Sequence, residues 1–248
     1  MSGVRLAGPT SALTEMSVGN WVDDAGSFMN ATTEADAAQR QERMIRQQVI
    51  ERGIQDQRVL GAMRAVPREP FFPAELKSEA FADRAVGIGH GQTISQPYIV
   101  ALMTLRLNIL PGQKVLEVGT GSGYQTAIVS KLTDQVYTIE RVKPLLDSAW
   151  ERLMSLDIRG VRFRHGDGTV GWPETAPFDR ILITAGAPAL PEAMLLNQLL
   201  DGGIAVLPVG PFDRQMLVEV RREGAMLKTR EICPCRFVKL IGSAGWAE

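Results

Sequence analysis

Apolar positions recur at two spacings along this chain. Between Ala37 and Val66 they fall at helical intervals, at Met44, Ile45, Val49, Ile50, Ile54, Val59, Leu60 and Met63, with a break near Gly53. Pro67, Pro70 and Pro73 then stop any helix. The Gly-rich stretch from Arg84 to Pro97 predicts a loop with short extended pieces, and a helix is expected from Tyr98 to about Leu107. After Pro111 and Gly112 the pattern alternates. Short apolar runs at Lys114–Val118, Gln135–Ile139, Val161–Arg164, Arg180–Thr184 and Ile204–Val209 predict strands. Amphipathic runs at Tyr124–Leu132, Val142–Leu156 and Pro191–Leu199 predict the helices between them. Met216–Val220 and Met226–Ile232 pattern as a hairpin around Glu223 and Gly224.

Strands separated by helices imply right-handed crossovers and a parallel sheet. The expected fold is therefore α/β, a doubly wound and mostly parallel sheet with an N-terminal helical segment and a C-terminal antiparallel hairpin. Residues 1–38 are polar and aperiodic and are read as a flexible extension. Residues 39–248 are expected to form one domain, with a helical and substrate-loop part at 39–110, a cofactor-binding core at 111–210, and a hairpin and groove strand at 211–248.

Composition narrows the function classes. Hydrophobic residues make up 45% and charged residues 22% of the 248 residues, with a net charge of -1. A nucleic-acid binder would normally be basic, so that partner is disfavoured. No apolar run approaches the ~20 residues that a membrane helix needs, and no basic-then-apolar leader opens the chain. The two cysteines, Cys233 and Cys235, are too close for an easy disulfide and too few for a zinc site. They read as small apolar residues on one face of a strand. No metal and a cytoplasmic location are expected. His90 and His165 lie far apart in sequence and suit loop or supporting roles better than catalysis.

The chemistry concentrates where the strand Lys114–Val118 runs through Gly119, Gly121 and Gly123 into the next helix. Glycines at such a turn reach positive φ and let the backbone approach a ligand, and open parallel sheets bind ligands at that strand end. A dinucleotide site wants G-x-G-x-x-G, but the third glycine position here is Tyr124. Glu117, two residues before the first glycine, would repel a pyrophosphate and suits a sulfonium and an amino group. The pair points to S-adenosylmethionine rather than NAD. Glu140, closing the second strand, can accept from ribose hydroxyls, and Asp167 after the third strand can accept from the exocyclic amine of adenine. Ser95 precedes Pro97 and a helix, so a helix cap is one reading of it.

Gly91-Gln92-Thr93-Ile94-Ser95-Gln96-Pro97 resembles the signature loop of the protein-L-isoaspartate O-methyltransferases. The runs V-L-E-V-G-T-G-S-G-Y-Q-T-A (115–127), V-Y-T-I-E-R (136–141), R-H-G-D-G (164–168), A-P-F-D-R-I-L-I-T-A (176–185) and G-G-I-A-V-L-P-V-G (202–210) are similar to that family's as well. The likeness spans about Met44 to Leu240. It implies a Rossmann-like methyltransferase that uses S-adenosylmethionine to esterify the free α-carboxylate of L-isoaspartyl residues in damaged proteins and peptides. The ester then closes to a succinimide that partly hydrolyses to aspartate. Ser95 would orient the substrate carboxylate. Thr93, Glu117, Gly119, Thr120, Gly121, Ser122, Gly123, Glu140, Arg141, Asp167 and Gly168 would hold the cofactor, and Gln92, Ile94 and Val238 would contact the substrate. One departure is Phe237-Val238-Lys239-Leu240, where the family usually has Pro in place of Lys239. It leaves open a dedicated peptide or protein partner as the alternative substrate.

Overall fold

The computed structural model describes Met1 and residues 35–247. The chain divides into two units, Met1–Asp36 and Ala37–Glu248. The extension expected at 1–38 lies almost wholly outside the described residues.

The helical pattern that leads into the second unit resolves into two helices. The first, α1, covers 35–45 and continues as a π-helical turn at Arg46–Ile50; the second, α2, is Gln57–Ala65. Gly53 between them takes φ +93°, which ends the first helix. Asp56 caps α2 by accepting from the backbone N–H groups of Arg58 and Val59. The prolines expected to stop helices do so, but the chain still makes two 3-10 turns among them, at Glu69–Phe71 and Ala74–Glu79. The Gly-rich stretch forms a small antiparallel pair, β1 (Val86–Gly89) and β2 (Gln92–Ile94), and α3 (Pro97–Leu107) follows.

The alternating region builds one seven-stranded sheet. Its strands are β3 (Lys114–Val118), β4 (Gln135–Glu140), β5 (Arg162–His165), β6 (Phe178–Ile183), β7 (Leu199–Val209), β8 (Gln215–Glu223) and β9 (Met226–Cys235), in the order β5-β4-β3-β6-β7-β8-β9. The first five are parallel; β8 and β9 form the antiparallel edge hairpin. Helices α4 (Tyr124–Ser130), α5 (Lys143–Ser155) and α6 (Glu192–Gln198) cross between strands. Strand β7 begins five residues earlier than its pattern suggests. Leu199 pairs with Phe178, and a register shift then brings Ile204 opposite Arg180. Gly202, at φ +75°, lies in this irregular stretch, so the turn residues Asp201 to Gly203 are absorbed into the strand as a bulge.

Strand alternation sorts the core into two layers. Val115, Val136, Leu182, Ile204 and Val206 face residues of α1 to α4 together with Leu153 of α5. Leu116, Val118, Ile139, Ile181, Ile183 and Ala205 face Met194 and Leu195 of α6. Helices on both faces define the doubly wound α/β fold. Its order reverses at β3, which lies between β4 and β6, so the crevice beyond their carboxyl ends is the place for a ligand. Among the described residues, no helix is long and apolar enough to cross a membrane.

Candidate active site

A cavity opens at that crevice. Its walls are the Gln92–Ser95 segment, Val118 to Ser122 with Tyr124 and Gln125, Ile139 to Arg141, Gly168, Thr184, Ala185 and Val238 to Ile241. The signature loop, the glycine turn, two strand ends and the C-terminal segment therefore meet in one place. Of the residues expected to orient the carboxylate, hold the cofactor or contact the substrate, all but Glu117, Gly123 and Asp167 line this cavity. Tyr124, Gln125, Thr184 and Ala185 also line it; they lie in the runs that resemble the family, but no site role was expected of them.

Two glycines are dictated by close approach. A Cβ on Gly119, at φ +98°, would collide with the Thr184 hydroxyl, and one on Gly168 would collide with Val118 Cγ1. Thr184 Oγ1 donates to the Gly119 carbonyl at 2.6 Å, fixing the turn against β6. Glu140 is buried at the end of β4. Its Oε2 accepts from Gly121 N at 2.9 Å and its Oε1 from Val142 N at 2.9 Å, so the carboxylate is held rigidly beside the glycine turn.

Glu117 is elsewhere. It is 0% exposed and sits beneath the turn. Its Oε2 accepts from Thr138 at 2.7 Å and from Thr126, while Oε1 has no partner among the described residues. Glu117 is thus not on the cavity wall, although the sequence reading put it against the cofactor. Val118 faces the cavity, and alternation turns Glu117 away from that wall toward Thr126 of α4. Burial pushes its carboxyl up to about 7; the two threonine hydroxyls oppose the shift, and the Glu140 charge adds to it. Gly123 likewise serves packing. At φ +88° it precedes α4, and a Cβ there would strike Leu153 and crowd Ala149 of α5.

Asp167 is also committed inside the protein. Oδ1 accepts from Thr169 N and Oγ1 at 2.8 and 2.6 Å, and Oδ2 from Ser243 N and Oγ, both at 2.8 Å. Partial burial pushes this carboxyl up, but the bonds from Thr169 and Ser243 outweigh it and hold the group below the usual Asp value. Adenine recognition by this carboxylate, as read from sequence, would have to share oxygens already engaged by the C-terminal turn. His90 takes φ +52° in the β1–β2 turn, and His165 lies 3.1 Å from the Arg141 carbonyl; neither lines the cavity. Cys233 and Cys235 are free thiols on β9, and burial pushes Cys235 up to about 12. Among the described residues no group of three or more His, Cys, Asp or Glu could hold a metal ion.

Ser95 stands in the cavity wall, and its hydroxyl makes no hydrogen bond to a described residue. The helix behind it is capped at Gln96, with no side-chain bond. Behind Ser95 lies a residue that periodicity did not reveal. Arg68 is 1% exposed and makes no ion pair with a described residue. Its Nη2 donates to the Ser95 carbonyl at 2.6 Å and its Nε to the Ala80 carbonyl at 2.7 Å, while its guanidinium stacks 4.5 Å from the Tyr124 ring. Only its place in a run of prolines and aromatics, Pro67 to Pro73, hints that it is enclosed.

A family model for protein-L-isoaspartate(D-aspartate) O-methyltransferase matches residues 39–245. The chain belongs to this family. Among its relatives, a protein-L-isoaspartate O-methyltransferase 2 of Pelobacter propionicus is 47% identical over 88% of this chain and 97% of its own length. A protein-L-isoaspartate O-methyltransferase of Dictyoglomus thermophilum is 49% identical over 79% of this chain and 89% of its own. A solved structure described as a protein-L-isoaspartate O-methyltransferase from Plasmodium falciparum, in complex with S-adenosyl-L-homocysteine, superposes with a TM-score of 0.71 at 28% identity, covering 83% of this chain and 98% of that one. Family and fold thus agree with the resemblance carried by the signature loop and the glycine turn.

Proposed function

We propose that this chain transfers the methyl group of S-adenosylmethionine to the free α-carboxylate of L-isoaspartyl residues in damaged proteins and peptides, with Ser95 orienting that carboxylate. The observation that carries the reading is the cavity itself, which sets an uncommitted serine hydroxyl across from a glycine turn at the switch point of the sheet.

The cavity fits the methyl donor. Gly119 and Gly168 leave room that any side chain would fill, and the rigid Glu140 carboxylate offers acceptors for vicinal hydroxyls. In this assignment Thr93, Gly119, Thr120, Gly121, Ser122, Glu140, Arg141 and Gly168 surround the donor. Glu117, Gly123 and Asp167 shape the loops that do so. Bound S-adenosylmethionine supplies a methyl group activated by a sulfonium.

The acceptor needs no strong base. A free α-carboxyl has a pKa of about 3.3–3.7 and is ionised at neutral pH. The cavity wall accordingly holds no His or Cys. What the chain must do is strip water from the anion and aim it, and positioning alone can supply about 7–11 kcal/mol. The Ser95 hydroxyl donates to one carboxylate oxygen and leaves the other to attack. Arg68 anchors the Ser95 carbonyl, so the hydroxyl is presented from a fixed backbone. The bound sulfonium would place a cation against this anion, and a water-poor site would favour their mutual neutralisation over the separate hydrated ions. Gln92, Ile94 and Val238, on the acceptor side, contact the peptide. The substrates and the free thiols suit the cytoplasm.

The test is transfer of labelled methyl from S-adenosylmethionine to an isoaspartyl peptide and to its aspartyl twin. Incorporation into the first alone supports the reading. Equal labelling of both, or of neither, overturns it.

A further inference from the structure

Lys239 lines the cavity and has no role in the reaction described above. Two independent features of its surroundings bear on the peptide. The first is its backbone. The Gly186 N–H donates to the Val238 carbonyl at 2.7 Å, and the Leu240 N–H donates to the Gly186 carbonyl at 2.9 Å. This is a parallel bridge centred on Lys239, so the N–H and C=O of Lys239 itself point the opposite way. Neither has a partner among the described residues. An extended segment with one edge unpaired is a template for another extended chain, and here that edge borders the cavity holding Ser95.

The second feature is charge. The Lys239 Nζ lies 5.4 Å from the Phe212 ring and 5.4 Å from the Trp246 ring. The Arg236 guanidinium lies 5.6 Å from the same Phe212 ring, and Phe212 is 41% exposed. Trp246 is fixed by its own indole N–H, which donates to the Gly186 carbonyl at 2.8 Å. Neither cation has a carboxylate partner among the described residues, and Asp213, next to Phe212 in the chain, forms no ion pair with them. The Phe212 ring holds both cations side by side, and Trp246 holds Lys239 as well, without neutralising them.

The geometry points to a subsite for an acidic side chain: a peptide runs along the open edge at Lys239, and a Glu or Asp flanking its isoaspartyl residue meets Lys239 and Arg236. Lys239 is then a specificity-determining residue. The inference rests on the isoaspartyl methyltransferase reading and sharpens it, because it says which damaged sequences are repaired fastest.

The experiment compares three isoaspartyl peptides of one length, differing only in a Glu, Gln or Lys beside the isoaspartyl residue and tested with that residue on either side of it. The readout is the ratio of kcat/KM between peptides, measured for the parent protein, Lys239→Met and Lys239→Glu, with melting temperature as the check on folding. For the parent at low salt, one flanking position should favour Glu over Lys by about two- to five-fold, the range of exposed ion pairs. Lys239→Met should bring the ratio toward one, and Lys239→Glu should invert it. In 1 M salt, where the screening length is about 3 Å, the parent's preference should shrink. A parent with no preference at either position, or a ratio unmoved by both substitutions, overturns the inference while leaving the methyltransferase reading intact. Labelling of none of the three peptides strikes that reading instead.

Discussion

Ser95 could cap a helix or orient an anion, and its surroundings separate these roles. The cap position of α3 belongs to Gln96, and the Ser95 hydroxyl makes no hydrogen bond to a described residue. Ser95→Ala is therefore expected to lower kcat by an amount equivalent to about 2–4 kcal/mol, the cost of losing one positioned donor. Thermal unfolding should move little. A fall in stability of about 1 kcal/mol with turnover intact would mean that the cap reading was correct. Glu117 gives a second test at this scale. Its folded-state pKa stands at about 7 against an ordinary 4.5, so the native protein keeps a proton that the unfolded chain has released. Its contribution to stability is full below about pH 4.5 and is lost as pH rises through about 7. Glu117→Gln keeps an acceptor for the Thr126 and Thr138 hydroxyls and cannot ionise. The melting temperature of this variant relative to the parent should rise between pH 5 and pH 8. A difference that stays flat with pH would contradict the assignment.

Among the elements, the C-terminal turn depends most on a distant partner. Leu240 to Trp246 closes on itself, with Trp246 N donating to the Leu240 carbonyl at 2.8 Å and Gly242 N to the Trp246 carbonyl at 3.1 Å. Asp167 grips it through Ser243, and a Cβ on Gly242 would collide with Asp167 Oδ1. Since Leu240 and Ile241 are also cavity wall, this grip shapes the cavity. Asp167→Ala should destabilise the protein by about 1–3 kcal/mol in urea titration and weaken S-adenosylhomocysteine binding in calorimetry. The depressed carboxyl adds a sign: its contribution is present above the ordinary Asp value of 3.8 and is lost as pH falls through the lower folded value. The stability gap between parent and variant should therefore narrow in acid. A gap that widened there would exclude the grip as its source.

For the whole molecule, the family match begins at residue 39 and the second unit at Ala37. A chain beginning at Ala37 is expected to keep its melting temperature and its methyl transfer to an isoaspartyl peptide. Loss of either would show that the preceding residues belong to the domain. The layout of this unit was largely legible beforehand, because strand and helix periodicities are local. Lys114–Val118 and the glycine turn declared a strand, a tight exit and a helix within a short stretch of chain, and Tyr98 to Leu107 needed only its own pattern. The start of β7 was less legible, since its apolar pattern begins only at Ile204 and it is pairing with β6 that draws Leu199 to Gly203 into the strand. Residue by residue, the sequence by itself determined the fold class, the glycine turn and the signature segment that holds Ser95, all of which depend on neighbours close in the chain. Only the tertiary structure decided what each charged group does. Glu140 faces the glycine turn while Glu117 is sealed behind it, Arg68 reaches Ser95 across 27 positions, and Asp167 is claimed by Ser243 across 76. The physical reason is that a carboxylate or guanidinium takes its role from the donors, acceptors and water around it, and folding brings those together from parts of the chain that no local pattern connects.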